Sequence, residues 1–334
     1  MAVSGYRLFG SELSPYSVKV RSYLRFKGIE HEWVPRGPNS AAEFQKYAKL
    51  PLIPLLVTPE GTGLQDSTPI IEALEAKTPE PSIHPEDPAL RFLSELIEEY
   101  ADEWGNKSMF HYRWSYPADA ESASRRIANQ IAPDGSDEAA VAKTAEGVRG
   151  RMIPRLSFVG SSAGTKDTIE SSLRRILDTL EMHFVGRKYL FGDRPALADL
   201  GMWGQLYECW TDPTPKALID ELYPNTWRWI ERMLNPKVEG GWDTWSSMRW
   251  GIGRLLDTEV AGLFLPWSTA NTVALQGGQE QFTVMLDGKP FTQQTQKYHA
   301  RSLSEIKRKY QAAKSAPGLD AILNETGCLR WLED

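Results

Sequence analysis

Apolar and polar positions along the first 80 residues switch between the two-residue period of a strand and the three-to-four-residue period of a helix. Tyr6-Arg7-Leu8-Phe9 reads as a short strand. Ser14-Pro15 opens a helix, with Ser14 at the N-cap and Pro15 at the first helical position, where a missing N–H costs nothing. Val18, Ser22 and Phe26, flanked by Val20 and Leu24, give that helix an apolar side, and Gly28 supplies its stop. Residues 30–34 read as a second strand, 41–47 as a short helix and 53–57 as a third strand containing Pro54. Glu60-Gly61-Thr62-Gly63 is a turn, Leu64-Gln65 a short fourth strand, and Asp66-Ser67 cap a helix carrying Ile70, Ile71 and Leu74. The order βαβ, α, ββα predicts a small sheet covered on its faces.

Beyond Pro79-Glu80-Pro81 the period becomes helical throughout. Asp87-Pro88 opens a helix with Leu93, Leu96, Ile97, Tyr100 and Trp104 on one side. The opposite face, Glu95, Glu98, Glu99, Asp102 and Glu103, is expected to be solvated. Ile169, Leu173, Ile176, Leu177, Leu180 and Phe184 mark another helix, for which Asp167 and Glu170 suggest a box-like cap. Between 115 and 164 the chain is rich in Ala, Ser and Arg, and short helices are expected at 122–131 and 138–149. In a long C-terminal stretch, 282–286 and 289–292 flank Asp287-Gly288, a hairpin signal. A last helix is expected at 304–314, with Lys307, Arg308 and Lys309 on a solvated face.

The 334-residue length suggests about two domains, and 25% charged with 41% hydrophobic residues excludes a disordered or collagen-like chain. No apolar run approaches the ~20 residues of a membrane helix. The start MAVSGYRLFG has no secretory pattern, and with two cysteines, Cys209 and Cys328, a reducing cytoplasm is the expected location. The net charge of -6 argues against a general nucleic-acid surface. His84, His111, His183 and His299 are scattered without metal-ligand spacing, so no metal is expected. Eight of the twelve tryptophans fall between Trp203 and Trp267, which reads as a large aromatic core.

Three local segments resemble the glutathione S-transferase (GST) superfamily, and specifically its serine-type, bacterial-like members. Ser14-Pro15-Tyr16-Ser17-Val18-Lys19-Val20-Arg21 is similar to the serine-type active-site segment. Ile53-Pro54-Leu55-Leu56 resembles the family's cis-proline segment, and Gln65-Asp66-Ser67-Thr68-Pro69-Ile70 its acidic-Ser segment. Further on, 191–200 is similar to the signature of the buried helix in the family's helical domain, with Ala196 where a Ser or Thr is usual. The resemblance implies an α+β/α fold, a thioredoxin-like N-terminal domain followed by an all-α domain. Its expected divisions are 1–80, 86–250 with an insertion at about 115–164, and an extension at 251–334.

The resemblance also implies glutathione as co-substrate, a small electrophile as second substrate and a homodimer. Ser14 would orient the thiolate, Ile53 beside cis-Pro54 would hold the cysteinyl backbone, and Asp66 and Ser67 the γ-glutamyl end. The chemistry is consistent: a free thiol titrates near ~8.5, and a helix N-terminus with a hydroxyl donor favours the thiolate. Tyr16, Phe110, His111, Tyr112 and Trp114 are the electrophile-site candidates by position. Leu52 departs from the family, which commonly carries a lysine there. Conjugation of the detoxification type is the leading expectation. A non-catalytic scaffold, a glutathione-dependent isomerase or an aryl-ether lyase are the alternatives, and a glutathione-dependent reductase is disfavoured by serine at positions 14 and 17.

Overall fold

The computed structural model describes residues 5–132 and 135–333. It opens with β1 (Tyr6–Gly10), α1 (Pro15–Phe26), β2 (His31–Pro35), α2 (Pro38–Tyr47), β3 (Leu55–Val57), β4 (Gly63–Gln65) and α3 (Ser67–Lys77), the order expected. The sheet runs β2-β1-β3-β4, with β1 parallel to β2 and antiparallel to β3, and β3 antiparallel to β4. Side-chain alternation divides the sheet. Leu8 and Leu56 face Val18, Tyr23 and Ile70 of α1 and α3, while Phe9, Leu55 and Val57 face Phe44 of α2.

Helices follow: α4 (Pro88–Tyr100), a π-helical turn (Ala101–Gly105), α5 (Asn106–Ser115), α6 (Pro117–Ile131) and α7 (Glu138–Met152). After a 3-10 turn (Ile153–Val159) come α8 (Lys166–His183), α9 (Leu197–Trp210), α10 (Pro213–Leu222) and α11 (Pro224–Arg232). Within α9, Asp199 is buried and accepts from the Leu190 and Ala196 N–H groups and from Trp229 Nε1, each at 2.9 Å. Burial lifts its carboxyl to about 7, and its three donors tie the loop before α9 to α11. Gly201 and Gly204 let α9 approach α4 and α1: a Cβ on Gly204 would sit 2.7 Å from the Pro15 carbonyl oxygen.

The C-terminal stretch contains α12 (Trp245–Met248), a largely π-helical segment, α13 (Leu265–Gln276), the hairpin β5 (Gln281–Leu286) and β6 (Lys289–Gln294), then α14 (Lys297–Ala313), α15 (Leu319–Glu325) and α16 (Leu329–Leu332). Asp287 at φ 52° and Gly288 at φ 72° form the hairpin turn that Asp-Gly favours. Phe291, Ile306 and Tyr310 of this stretch belong to the same buried cluster as α4 and α8. Trp203, Trp229 and Trp267 are fully buried, as the aromatic-core reading expects, whereas Trp250 lies on the surface. Among the described residues no helix is long and apolar enough to cross a membrane.

Three sequence expectations need correction. The acidic face of α4 is not solvated: Glu98, Asp102 and Glu103 are buried, because α1 and α14 pack over it. Helix α8 starts after Thr165 with no side-chain cap, and Glu170 instead accepts from Tyr116 Oη at 2.6 Å. In α14, Lys309 is not on a free face: its side chain is largely covered and pairs with Glu72 of α3 at 2.8 Å.

Candidate functional site

The sheet register gathers the predicted residues. Phe9 pairs with Leu55 and Leu55 with Gln65, so these three lie in one row across β1, β3 and β4. The chain leaving β1 leads to Ser14, the chain entering β3 comes from Ile53, and the chain leaving β4 continues into Asp66 and Ser67. All three segments therefore emerge at the same edge of the sheet.

Ser14 is the N-cap of α1, in extended conformation, and its Oγ accepts from the Ser17 N–H at 3.2 Å. That bond uses an oxygen lone pair and leaves the hydroxyl proton to be donated elsewhere. Ser17 Oγ, one turn further in, is buried without a partner among the described residues. The Ile53–Pro54 peptide is cis, and Ile53 lies beyond the β3–β4 ladder, which begins at Leu55. The Gln65 amide holds the loop before it, accepting from Lys49 N at 2.6 Å and donating to Leu50 O and Leu52 O at 2.8 and 2.9 Å. The Leu52 side chain is 61% exposed.

Asp66 has φ 78° and ψ 140°, a conformation that costs a non-glycine residue about 1–3 kcal/mol and tends to occur at ligand clamps. It sits at the α3 N-terminus, and its Oδ1 accepts from the Ser67 N–H at 2.8 Å. Ser67 is fully buried, yet its Oγ has no partner among the described residues. A buried hydroxyl costs free energy until it is satisfied, so this oxygen is suited to a ligand.

The five aromatic candidates separate. Tyr16 donates to the Asp102 carbonyl at 3.0 Å and accepts from Asn106 at 3.1 Å, engaging the π-helical turn. Burial, then the Asp102 charge, pushes its phenol pKa upward, so it stays protonated. Phe110 and Trp114 join Leu13, the neighbour of Ser14, in an apolar cluster with Ile127, Ile131, Met152 and Leu156. His111 and Tyr112 are turned into the helical core. His111 bonds Ser161 at 2.7 Å and Glu170 at 3.1 Å, and Tyr112 stacks on Tyr116 with ring centroids 5.3 Å apart.

Beside the site lies a buried polar network that the sequence reading missed. Lys19 of α1 donates to Glu98 at 2.5 Å, Asp102 at 2.6 Å and Thr68 at 3.2 Å. Burial alone would lower the Lys19 pKa, but the Asp102 and Glu98 charges outweigh it and raise it. Burial lifts Asp102 to about 7 and Glu103 to about 8. Burial also lowers His299 of α14 to about 3, so a protonated Glu103 donates to a neutral His299 Nδ1 near neutrality. Burial brings Lys107 down to about 7; its ammonium lies 3.9 Å from the Trp267 ring centre and bonds Gln293 at 3.0 Å. The signal available in the sequence was the run of carboxylates itself, since five acidic residues alternating with core positions on one helix need a partner if anything covers them.

Residues 8–82 match the family model described as glutathione S-transferase, N-terminal domain, and 145–232 match glutathione S-transferase, C-terminal domain. The chain belongs to the glutathione S-transferase superfamily. It is 35% identical over 100 residues to an uncharacterized GST-like protein, YibF, of Escherichia coli K12, a match covering 29% of this chain and spanning about half (48%) of that protein's length. It is 25% identical over 202 residues to the isoprene-epoxide glutathione S-transferase of Rhodococcus sp. AD45, covering 58% of this chain and 79% of that one. A solved glutathione S-transferase from Methylobacterium radiotolerans, in complex with glutathione sulfonate, is 24% identical with a TM-score of 0.42, covering 68% of this chain and 89% of that chain.

Proposed function

We propose that this protein is a glutathione transferase in which Ser14 activates the thiol. The observation that carries the reading is the row Phe9, Leu55, Gln65, which brings Ser14, Ile53 and Asp66-Ser67 to one sheet edge beside two helix N-termini. The N-terminus of α1 offers partial positive charge, and the Ser14 hydroxyl proton hydrogen-bonds the sulfur, so the thiol releases its proton to solvent more readily. Ile53 contributes its backbone to the cysteinyl unit. The unpartnered Ser67 hydroxyl and the α3 N-terminus hold the γ-glutamyl carboxylate, and Asp66 the ammonium.

The thiolate then attacks an electrophilic carbon, forming an S–C bond as the leaving group or ring oxygen takes the electron pair. Leu13, Phe110, Trp114, Met152 and Leu156 form the apolar wall beside Ser14, which suits a hydrophobic electrophile. In this reading 1–80 binds the thiol, 86–250 contributes that wall, and 251–334 is an extension of the helical unit. A reducing cytoplasm suits the two buried free cysteines. Any homodimer forms through a surface other than the α4 face and α3 edge that α14 occupies. A scaffold without catalysis is the second reading, favoured by exposed Leu52 where a carboxylate-binding lysine is common.

Ser14→Ala separates the two. A hydrogen bond to a charged group contributes about 1.5–3 kcal/mol, so kcat/KM toward an activated chloroarene should fall about 10- to 150-fold, while loss of the N-cap lowers the melting temperature by only about 1–3 °C. The pKa of the bound thiol, read by ultraviolet titration, should rise by about one to two units. Turnover equal to wild type refutes the role of Ser14, and no turnover in wild type refutes the enzyme.

A further inference from the structure

Helix α14 comes from a part of the chain more than 200 residues beyond the sheet, yet it reaches the sheet edge where Asp66 lies: Tyr298 Oη donates to Asp66 Oδ2 at 3.4 Å, across 232 residues of chain. The contact is not made by a core residue. Tyr298 is 56% exposed, so burial of its ring does not explain why its hydroxyl is directed at a carboxylate. The next residue, His299, is anchored inward on Glu103 and against the Trp267 ring, 4.6 Å between centroids. Ser302, a turn further, donates to Glu99, and Lys309 pairs with Glu72. Tyr298 thus stands at the open end of a helix whose inner face is fastened along α4 and α3.

The groups around its hydroxyl are acidic or proton-donating: partial desolvation, then Glu103, Asp66, Tyr16 and Asp102, push its phenol pKa upward and hold it protonated. Beside Asp66 lies the fully buried, unpartnered Ser67 Oγ. The set therefore offers a carboxylate and a phenol oxygen lone pair to a cation, next to a hydroxyl and a helix N-terminus for an anion. That is the pattern needed by the ammonium and carboxylate of an α-amino acid.

We propose that the C-terminal extension is part of the thiol-binding site, with Tyr298 as a binding residue that accepts, together with Asp66, a hydrogen bond from the α-ammonium of the γ-glutamyl unit. The phenol keeps its proton, donating it to Asp66, and its lone pair faces the ligand. This inference rests on the glutathione reading of the site, and it assigns one end of that ligand to a segment of the chain outside both family-model matches.

The test is calorimetric titration of the full-length protein and its Tyr298→Phe variant with two probes: glutathione, and glutaryl-cysteinylglycine, which is glutathione without its α-amine. The ring is exposed, so the variant keeps the wild-type melting temperature. The expected result is that Tyr298→Phe weakens glutathione about 10-fold or more and leaves the affinity for the deaminated probe unchanged. In turnover assays the same variant should raise the KM for glutathione with kcat unchanged. Equal glutathione affinity in wild type and Tyr298→Phe overturns the role of Tyr298 while leaving the glutathione reading intact. Equal weakening of both probes overturns the assignment to the ammonium. Absence of glutathione binding in the wild type overturns the glutathione reading itself, and this inference with it.

Discussion

Replacing Lys19 with Met tests the junction between α1 and α4. The lysine stem is nearly isosteric with methionine, so packing is kept and the charge is lost. Lys19 and Glu98 are each about 1% exposed, and Lys19 holds both Glu98 and Asp102 within hydrogen-bond distance. Removing one partner of a buried ion pair costs about 3–5 kcal/mol, because the remaining charge is left without compensation. At about 2.1 cal/mol/K per residue, 334 residues give a melting entropy of about 0.7 kcal/mol/K, so the melting temperature should fall by about 4–7 °C. The deficit should depend on pH. Without Lys19 the two carboxyls have folded pKa values above their unfolded ones, so native Lys19→Met binds protons that its unfolded chain releases. Its stability therefore falls as pH rises, and the deficit against wild type is larger at pH 8 than at pH 6. Scanning calorimetry of both proteins at the two pH values measures this. The triple variant Lys19→Met, Glu98→Gln, Asp102→Asn should recover most of the loss at pH 8. A shift of less than about 1 °C at pH 8, or the same deficit at both pH values, would refute the reasoning.

Two further outcomes follow from the same geometry. Burial holds the Glu103 carboxyl up at about 8, against an ordinary carboxylate near ~4.5, so native protein binds an extra proton between those values. Its contribution to stability is complete below about pH 4.5 and is lost as pH rises toward 8, at up to about 1.4 kcal/mol per pH unit. Glu103→Gln cannot titrate, so its urea midpoint relative to wild type should climb from pH 5 to pH 8; a flat difference would exclude a protonated Glu103. Gly204→Ala places a Cβ 2.7 Å from the Pro15 carbonyl oxygen, closer than real contacts allow. It should cost about 1–3 kcal/mol and, by displacing the residue after Ser14, weaken glutathione binding; a wild-type melting temperature would show that α9 does not rest on α1 as described.

The N-terminal architecture was legible in the sequence because each element there carries its own signal. Ser14-Pro15 marks a helix start, Gly28 a stop, and short alternating runs mark strands, so local chemistry and global fold agree. The geometry of the candidate site was legible for the same reason, since its residues sit at caps and strand ends that local patterns identify. The apolar cluster beside Ser14 was half legible: position along α5 pointed to four aromatic candidates, but which of Phe110, His111, Tyr112 and Trp114 turns toward Leu13 depends on where α6 and α7 pack, and the sequence does not show that packing. The missing Glu170 cap has a similar cause, because its carboxylate found better donors in Tyr116 and His111 than in its own backbone.

The acidic face of α4 shows where local reading ends. Charge spacing on an isolated helix separates an apolar stripe from a polar one, and water is the default neighbour of the polar one. Here that neighbour is protein on both sides: Lys19 arrives from 79 residues upstream of Glu98, and His299 from 196 residues downstream of Glu103. Neither partner has a pattern that announces it, since one lysine and one histidine fit any amphipathic helix. The consequence is physical as well as topological. Because α1 and α14 cover these carboxylates, burial shifts Asp102 and Glu103 into the neutral range; the Lys19 ion pairs fasten α1 to α4, and the neutral Glu103–His299 pair fastens the extension to the π-helical turn after α4. The same fastening brings Tyr298 to Asp66.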